Sequence, residues 1–151
     1  MNKFFILIFT LFLFYGCSYK PILVNKNYNF SFDNIEAIGE KEINNYIKNK
    51  LNNRSSSGAK FDIFIVTKKN KEIISSDQKG DPLVFELTVV LNYNVKKDEK
   101  EVLSKSLKKK ISYNNIKDKF ELSKYEENIL KNISDNISDE ILLTINKLVE
   151  W

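Results

Sequence analysis

The stretch LVFELTVVLNYNV, residues 83–95, places Leu83, Phe85, Leu87, Val89, Leu91, Tyr93 and Val95 on one parity and Glu86, Thr88, Asn92 and Asn94 on the other. Successive side chains of a strand point to opposite faces, so this alternation is a strand with one face in a core and one face in polar surroundings. The polar run Lys96-Lys97-Asp98-Glu99-Lys100 then reads as a hairpin turn. From Glu101 to Tyr113 the pattern resumes, with Leu103, Leu107, Ile111 and Tyr113 in phase. Two segments of similar length joined this closely pair antiparallel. Strict parity sets Lys105 and Lys109 on the apolar face. Either a bulge turns them out, or the strand lies at a sheet edge, where lysines discourage aggregation.

Working outward toward higher numbers, a loop from Asn114 to Leu122 leads to the last element. Ser123 with Glu126 three residues on has the form of a capping box. Tyr125, Ile129, Ile133, Ile137, Ile141, Ile145 and Leu148 recur nearly every four residues, a helix of about seven turns with Glu127, Lys131, Asp135 and Asp139 opposite.

In the other direction, Asp77-Gln78-Lys79-Gly80-Asp81-Pro82 carries turn chemistry. Phe61 to Thr67 (FDIFIVT) is a β-branched and aromatic strand, which Ile73 and Ile74 can extend. Ser55-Ser56-Ser57-Gly58 is a loop by composition. Glu40 to Leu51 has helical spacing, with Ile43, Tyr46, Ile47 and Leu51 on one stripe, and Tyr28, Phe30 and Phe32 alternate as a strand. The order is β-α-β-β-β-α. A sheet with one strongly apolar face and two one-sided helices predicts an α+β two-layer sandwich, its four-stranded antiparallel or mixed sheet covered on one face by both helices. The outer face then carries Lys108 and Lys110.

The first residues have a different character. Lys3 is followed by the apolar run Phe4 to Phe14, then by Gly16 and the single cysteine, Cys17. That order is a secretory signal, too short to span a bilayer comfortably. Cysteine directly after a small residue points to a lipoprotein signal at residues 1–16, with diacylglycerol carried on Cys17. An ordinary signal with a chance cysteine is the plainer alternative, but a lone thiol in an exported chain has no internal disulfide partner. Ser18, in place of the aspartate common in lipoproteins held at the inner membrane, points to the outer membrane. Residues 17–26 then form a lipidated tether, with Pro21 holding it extended, and 27–151 a single α+β domain.

Lys+Arg 24 against Asp+Glu 20 is a formal charge of +4, too close to balance to argue for nucleic acid. The charge is uneven, basic from Lys96 to Lys119 and acidic from Lys124 to Glu150. Abundant Asn, Lys and Ile indicate an A+T-rich genome, which dilutes the meaning of any lysine cluster. The chain has no histidine, and its only cysteine is assigned to lipid. Histidine acid–base chemistry, Ser-His-Asp and Cys-His nucleophiles and His/Cys metal sites are thereby excluded. Four glycines leave no phosphate-cradling loop. A carboxylate-only hydrolase remains as a minor class, but the adjacent acids Glu126 and Glu127 are more simply helix-start charge. The expectation is a protein that is not an enzyme and that holds no cofactor or metal beyond the covalent lipid.

Three places together resemble the LPS-assembly lipoprotein LptE, in the form seen in alphaproteobacteria. They are Gly16-Cys17-Ser18-Tyr19-Lys20-Pro21-Ile22-Leu23, the long alternating pair from Leu83 to Ser112, and Ser112-Tyr113-Asn114 followed by a short loop and a long amphipathic helix. Ser18, Lys20 and the Asn, Ser and Ile of the helix depart from that group's usual Gly, Arg and small Ala-rich positions. The resemblance implies an outer-membrane lipoprotein, facing the periplasm, that plugs the LptD β-barrel and assists lipopolysaccharide assembly. It makes Lys105, Lys108, Lys109 and Lys110 candidate contacts for lipopolysaccharide phosphates or the barrel, against the plainer reading of a solvated strand face. Arg54 is a weaker candidate of the same kind. Trp151 can pack back on the domain or meet a membrane interface. The competing function is an auxiliary lipoprotein of a lipid-trafficking ABC transport system.

Overall fold

The computed structural model describes residues 28–52 and 58–149. Cys17, the tether, Arg54 and Trp151 lie outside the described residues. The elements are β1 (Phe30–Gly39), α1 (Lys41–Asn52), β2 (Ala59–Ser76), β3 (Pro82–Lys97), β4 (Lys100–Asn114) and α2 (Lys119–Val149). The sheet order is β1-β2-β3-β4, with β1 parallel to β2 and the other pairs antiparallel. The fold is the expected α+β sandwich, and its sheet is mixed. Both helices lie on one face.

The parallel pair needs a crossover, and α1 supplies it. Gly39 makes the turn into that helix with φ +103, and a Cβ built there would stand 2.0 Å from the Thr67 carbonyl oxygen. The Thr67 hydroxyl accepts the Glu40 N–H at 2.9 Å and donates to Asn44 Oδ1 at 2.8 Å. This buried polar group is therefore satisfied, which removes the penalty of hiding it.

Phe85, Leu87, Val89, Leu91, Tyr93 and Val95 of β3 all point into the core. Leu83 does not: it is half exposed at the end of the strand, where α2 has only just begun. Over this face α2 lays two adjacent stripes. One is Ile129, Ile133, Ile137, Ile141 and Ile145; the other is Leu130, Ser134, Ser138 and Leu142. The two serines are buried on donating their hydroxyls to the carbonyls of Leu130 and Ser134, both at 2.7 Å. Lys50 of α1 reaches Asp139 of α2 at 2.8 Å and the Asp135 carbonyl at 3.0 Å. The ends of the expected stripe, Tyr125 and Leu148, are largely exposed.

Several boundaries differ from those the sequence suggests. The helix starts one turn before Ser123, at an Asp118 cap whose Oδ1 accepts the N–H groups of Phe120 and Glu121 at 2.8 and 3.0 Å. A carboxylate cap satisfies two orphan donors at once, so it prevails over the Ser123–Glu126 box. Glu126 and Glu127 therefore sit well inside α2, and the acid that favours its macrodipole is Glu121. β2 is much longer than Phe61–Thr67, because Lys68 to Ser76 pairs with β3 even without apolar alternation. The β3–β4 connection tightens to Asp98-Glu99, both with positive φ (50 and 64). The other turn is as expected, with Asp77 Oδ1 accepting from Lys79 and Asp81 N–H groups at 2.8 and 2.9 Å.

Candidate functional site

β4 is an edge strand, and its register against β3 runs unbroken from Leu103 to Asn114. Of the two explanations for lysines on the apolar parity, the edge is the one found. Lys109 leans over the core side and pairs with Glu140 of α2 at 2.7 Å. Lys105 stands opposite Tyr93, exposed. Lys108 and Lys110 belong to the outer face, opposite Val90 and Thr88. Lys110 pairs with Glu86 across the strands, and the hydrogen bond and charge of that carboxylate raise its pKa. The four candidates thus form no single patch. Two are matched by carboxylates, and Lys105 and Lys108 have no ion pair among the described residues.

Polar side chains cross-link the outer face on which Lys108 and Lys110 stand. Ser104 donates to Asn94 at 2.9 Å, Asn94 to Glu101 at 3.3 Å, and Lys60 meets Asp33 at 3.1 Å. A shallow hollow of about 160 Å³ lies on it among Asn34, Asp62, Phe64, Asn94 and Lys96. Phe64 is the large apolar side chain exposed there. Ile38, 55% exposed and opposite Val66, adds to it, so the face offers a partner hydrogen-bonding groups interleaved with apolar ones.

Sequence reasoning missed a polar knot on the helix side. Glu126 accepts the Tyr113 hydroxyl at 2.7 Å and pairs with Lys71, whose Nζ lies 4.1 Å from the centre of the Phe85 ring. Burial first, then the bond to Glu126 and its charge, push the Tyr113 phenol well above its ordinary range. The signal was available in part: Tyr113 shares the apolar parity, so its hydroxyl needed a partner from the covering helix. Glu127 turns the other way and accepts from Tyr46 at 3.3 Å, beside a hollow of about 310 Å³ that Lys124, Asn128 and Lys131 also line. Desolvation and the Glu127 charge raise Tyr46. The two adjacent acids serve different partners and do not converge as a hydrolytic pair. Burial also raises the Tyr93 phenol, with Thr144 partly offsetting and Glu140 adding to it. Among the described residues no group of three His, Cys, Asp or Glu could hold a metal ion. Among them, too, no helix is long and apolar enough to cross a membrane.

No family model and no curated protein sequence matches the chain. Solved structures do. The crystal structure of the rare lipoprotein B from Shewanella oneidensis is similar at TM-score 0.60 and 16% identity, covering 79% of this chain and 94% of that one. The solution structure of an uncharacterized lipoprotein B from Nitrosomonas europaea is similar at TM-score 0.57 and 17% identity, covering 84% and 91%. A putative lipoprotein from Caulobacter crescentus gives TM-score 0.56 and 12% identity over 82% and 91%. At such identities the shared property is the fold. This fold is one that bacterial lipoproteins use.

Proposed function

We propose that this protein is an outer-membrane lipoprotein, anchored through lipid on Cys17, that plugs an LptD-like β-barrel and assists lipopolysaccharide assembly there. The observation that carries the reading is a sandwich with one sheet face that neither helix covers and that carries a network of polar side chains, in a fold shared with bacterial lipoproteins. A large outer-membrane barrel has a polar lumen, and a hydrogen-bonding surface such as the Asn94–Ser104–Glu101 face suits its wall better than an apolar one would. Acyl chains on Cys17 hold the protein at the membrane, each buried CH₂ contributing about 0.8 kcal/mol. Lys105 and Lys108, the two unpaired candidates on β4, supply point charges for lipopolysaccharide phosphate. The role is one of binding and assembly and calls for no catalytic step.

The test is an affinity pull-down of the full-length chain from detergent-solubilised envelopes, with bound partners identified by mass. Recovery of a large β-barrel at one to one supports the plug. Recovery of an inner-membrane permease complex favours the ABC-linked alternative, and an empty eluate rules out a stable barrel partnership.

A further inference from the structure

Among the described residues the sheet has open edges along β4, along residues 68–76 of β2, and along β1. An unpaired edge is a template for another strand, and lysines are a common guard against that. Lys100, Lys105, Lys108, Lys109 and Lys110 stand on β4, and Lys68, Lys69 and Lys71 on the open stretch of β2. β1 has no lysine, arginine or proline. Its one irregularity is the register shift at Asp33, and residues 34–39 run unbroken along β2. The charges of β1 are Asp33 and Glu36. Asp33 meets Lys60, whereas Glu36 is exposed and has no ion pair among the described residues. On the core side Ile35 and Ala37 are half-buried, so the margin of the core lies open along the same edge.

We infer that β1 is a docking edge for an extended segment of a partner protein. The segment adds as a further strand, with lysine or arginine toward Glu36 and apolar side chains beside Ile35 and Ala37. In strand addition the backbone hydrogen bonds give affinity and the alternate side chains give the choice of partner. Alternation is required because successive residues of the added strand meet the acidic outer face and the apolar inner one in turn. A second copy fits less well. Paired through β1, it gathers Asp33 and Glu36 of both copies along one seam, and like charges across strands are destabilising. Paired through β4 it matches in charge, but that contact is heterologous and grows without closing. A barrel wall cannot supply the strand either, because a closed barrel has no free edge. The inference therefore stands apart from the barrel reading.

The probe is a synthetic peptide of alternating lysine and valine, as long as β1, added to the full-length protein in nonionic detergent. Binding is followed by calorimetry and located by amide hydrogen exchange. The expected result is saturable binding that slows alternate amides of β1 and leaves those of β4 unchanged. A glutamate–valine peptide should not bind, nor should a lysine–valine peptide methylated at every backbone nitrogen, which has no donors to give. Glu36→Lys should weaken the lysine–valine peptide about tenfold, and Glu36→Gln replaces it if charge reversal disturbs folding. Absence of saturable binding overturns the inference, as does protection that appears at β4 or at residues 68–76 instead. Slow exchange at every β1 amide before peptide is added also overturns it, since the edge is then already covered. Binding by the methylated peptide does the same, because charge alone explains it. Self-association that the peptide reverses would make a second copy the occupant and overturn it as well.

Discussion

Phe61 and Ile65 of β2 are 4% and 0% exposed, whereas Ile73, farther along the same strand and on the same parity, is 55% exposed. The two halves of the strand differ in what lies beside and above them. The near half, up to Thr67, has β1 alongside and both helices overhead. From Lys68 onward β1 has ended, so the strand has an open edge, and α2 alone covers it through its first turns. There the Lys71–Glu126–Tyr113 knot holds the layers together where the near half uses aliphatic packing. The far half follows the edge rule closely: its open segment is rich in lysine and its pairing is irregular near Ile74 and Ser75, both of which discourage strand addition. An apolar residue in a strand is thus core only where a second layer reaches it.

The sharpest way to break this comparison is to truncate the same residue type in both halves. Ile65→Ala should lose about 3–4 kcal/mol by denaturant unfolding, because the sealed site cannot collapse around the cavity. Ile73→Ala should stay within about 0.5 kcal/mol, as surface changes do. Equal losses would mean that the far half is as well packed as the near one. Gly39→Ala comes next. Its backbone already has positive φ, and the new methyl would collide with the carbonyl of Thr67, the residue whose hydroxyl anchors α1. A loss of about 2–3 kcal/mol is expected, and an effect under about 1 kcal/mol would show that the turn yields.

The same contrast explains what was legible in the sequence. The fold followed from the alternation at 83–95 and the four-residue recurrence at 129–145, because in those runs every in-phase apolar side chain but Leu83 is buried. The far half of β2 was ambiguous because KKNKEIISS has no apolar side to read, its strand state being imposed by pairing with β3. The start of α2 was misplaced because two capping chemistries compete within six residues, and only tertiary packing chooses Asp118. Of the candidate site, parity correctly located Lys108 and Lys110 on the outer face and flagged Lys105 and Lys109 as anomalous. The carboxylates that neutralise Lys109 and Lys110 come from α2 and β3, and a linear pattern does not reveal which cation meets which acid.

Loss of the far knot should have a smaller effect, and one that depends on pH. Tyr113→Phe should lose about 1 kcal/mol at neutral pH, the worth of one side-chain hydrogen bond. The folded state holds Tyr113 as the neutral phenol and raises its pKa. Its contribution is therefore complete below the unfolded value of about 10 and is lost as pH rises beyond it, when the unfolded chain ionises first. Hydrogen exchange followed from neutral to alkaline pH should show amides of the far half opening before those of the near half. In Tyr113→Phe that alkaline difference should shrink. Uniform opening would mean the two halves are one cooperative unit.

The smallest expected effect concerns the two turns and carries the opposite sign. At the far turn Gly80 occupies positive φ at +88, where glycine is unstrained. At the near turn Asp98 and Glu99 occupy positive φ without that freedom, a strain of about 1 kcal/mol per residue. A two-residue hairpin of this kind prefers Asn-Gly or Asp-Gly, so Glu99→Gly relieves strain while adding backbone entropy to the unfolded chain. The second term, about 0.5–1 kcal/mol, opposes the first, leaving a net gain of at most about 0.5 kcal/mol. The near half can hold an unfavourable turn because β3 and β4 are clamped there by buried Val95, Tyr93 and Leu107. If Glu99→Gly stabilises the whole chain in equilibrium unfolding, the turn belongs to the near cooperative core. A gain confined to local exchange at residues 96–101 would place the boundary of that core further inside the sheet.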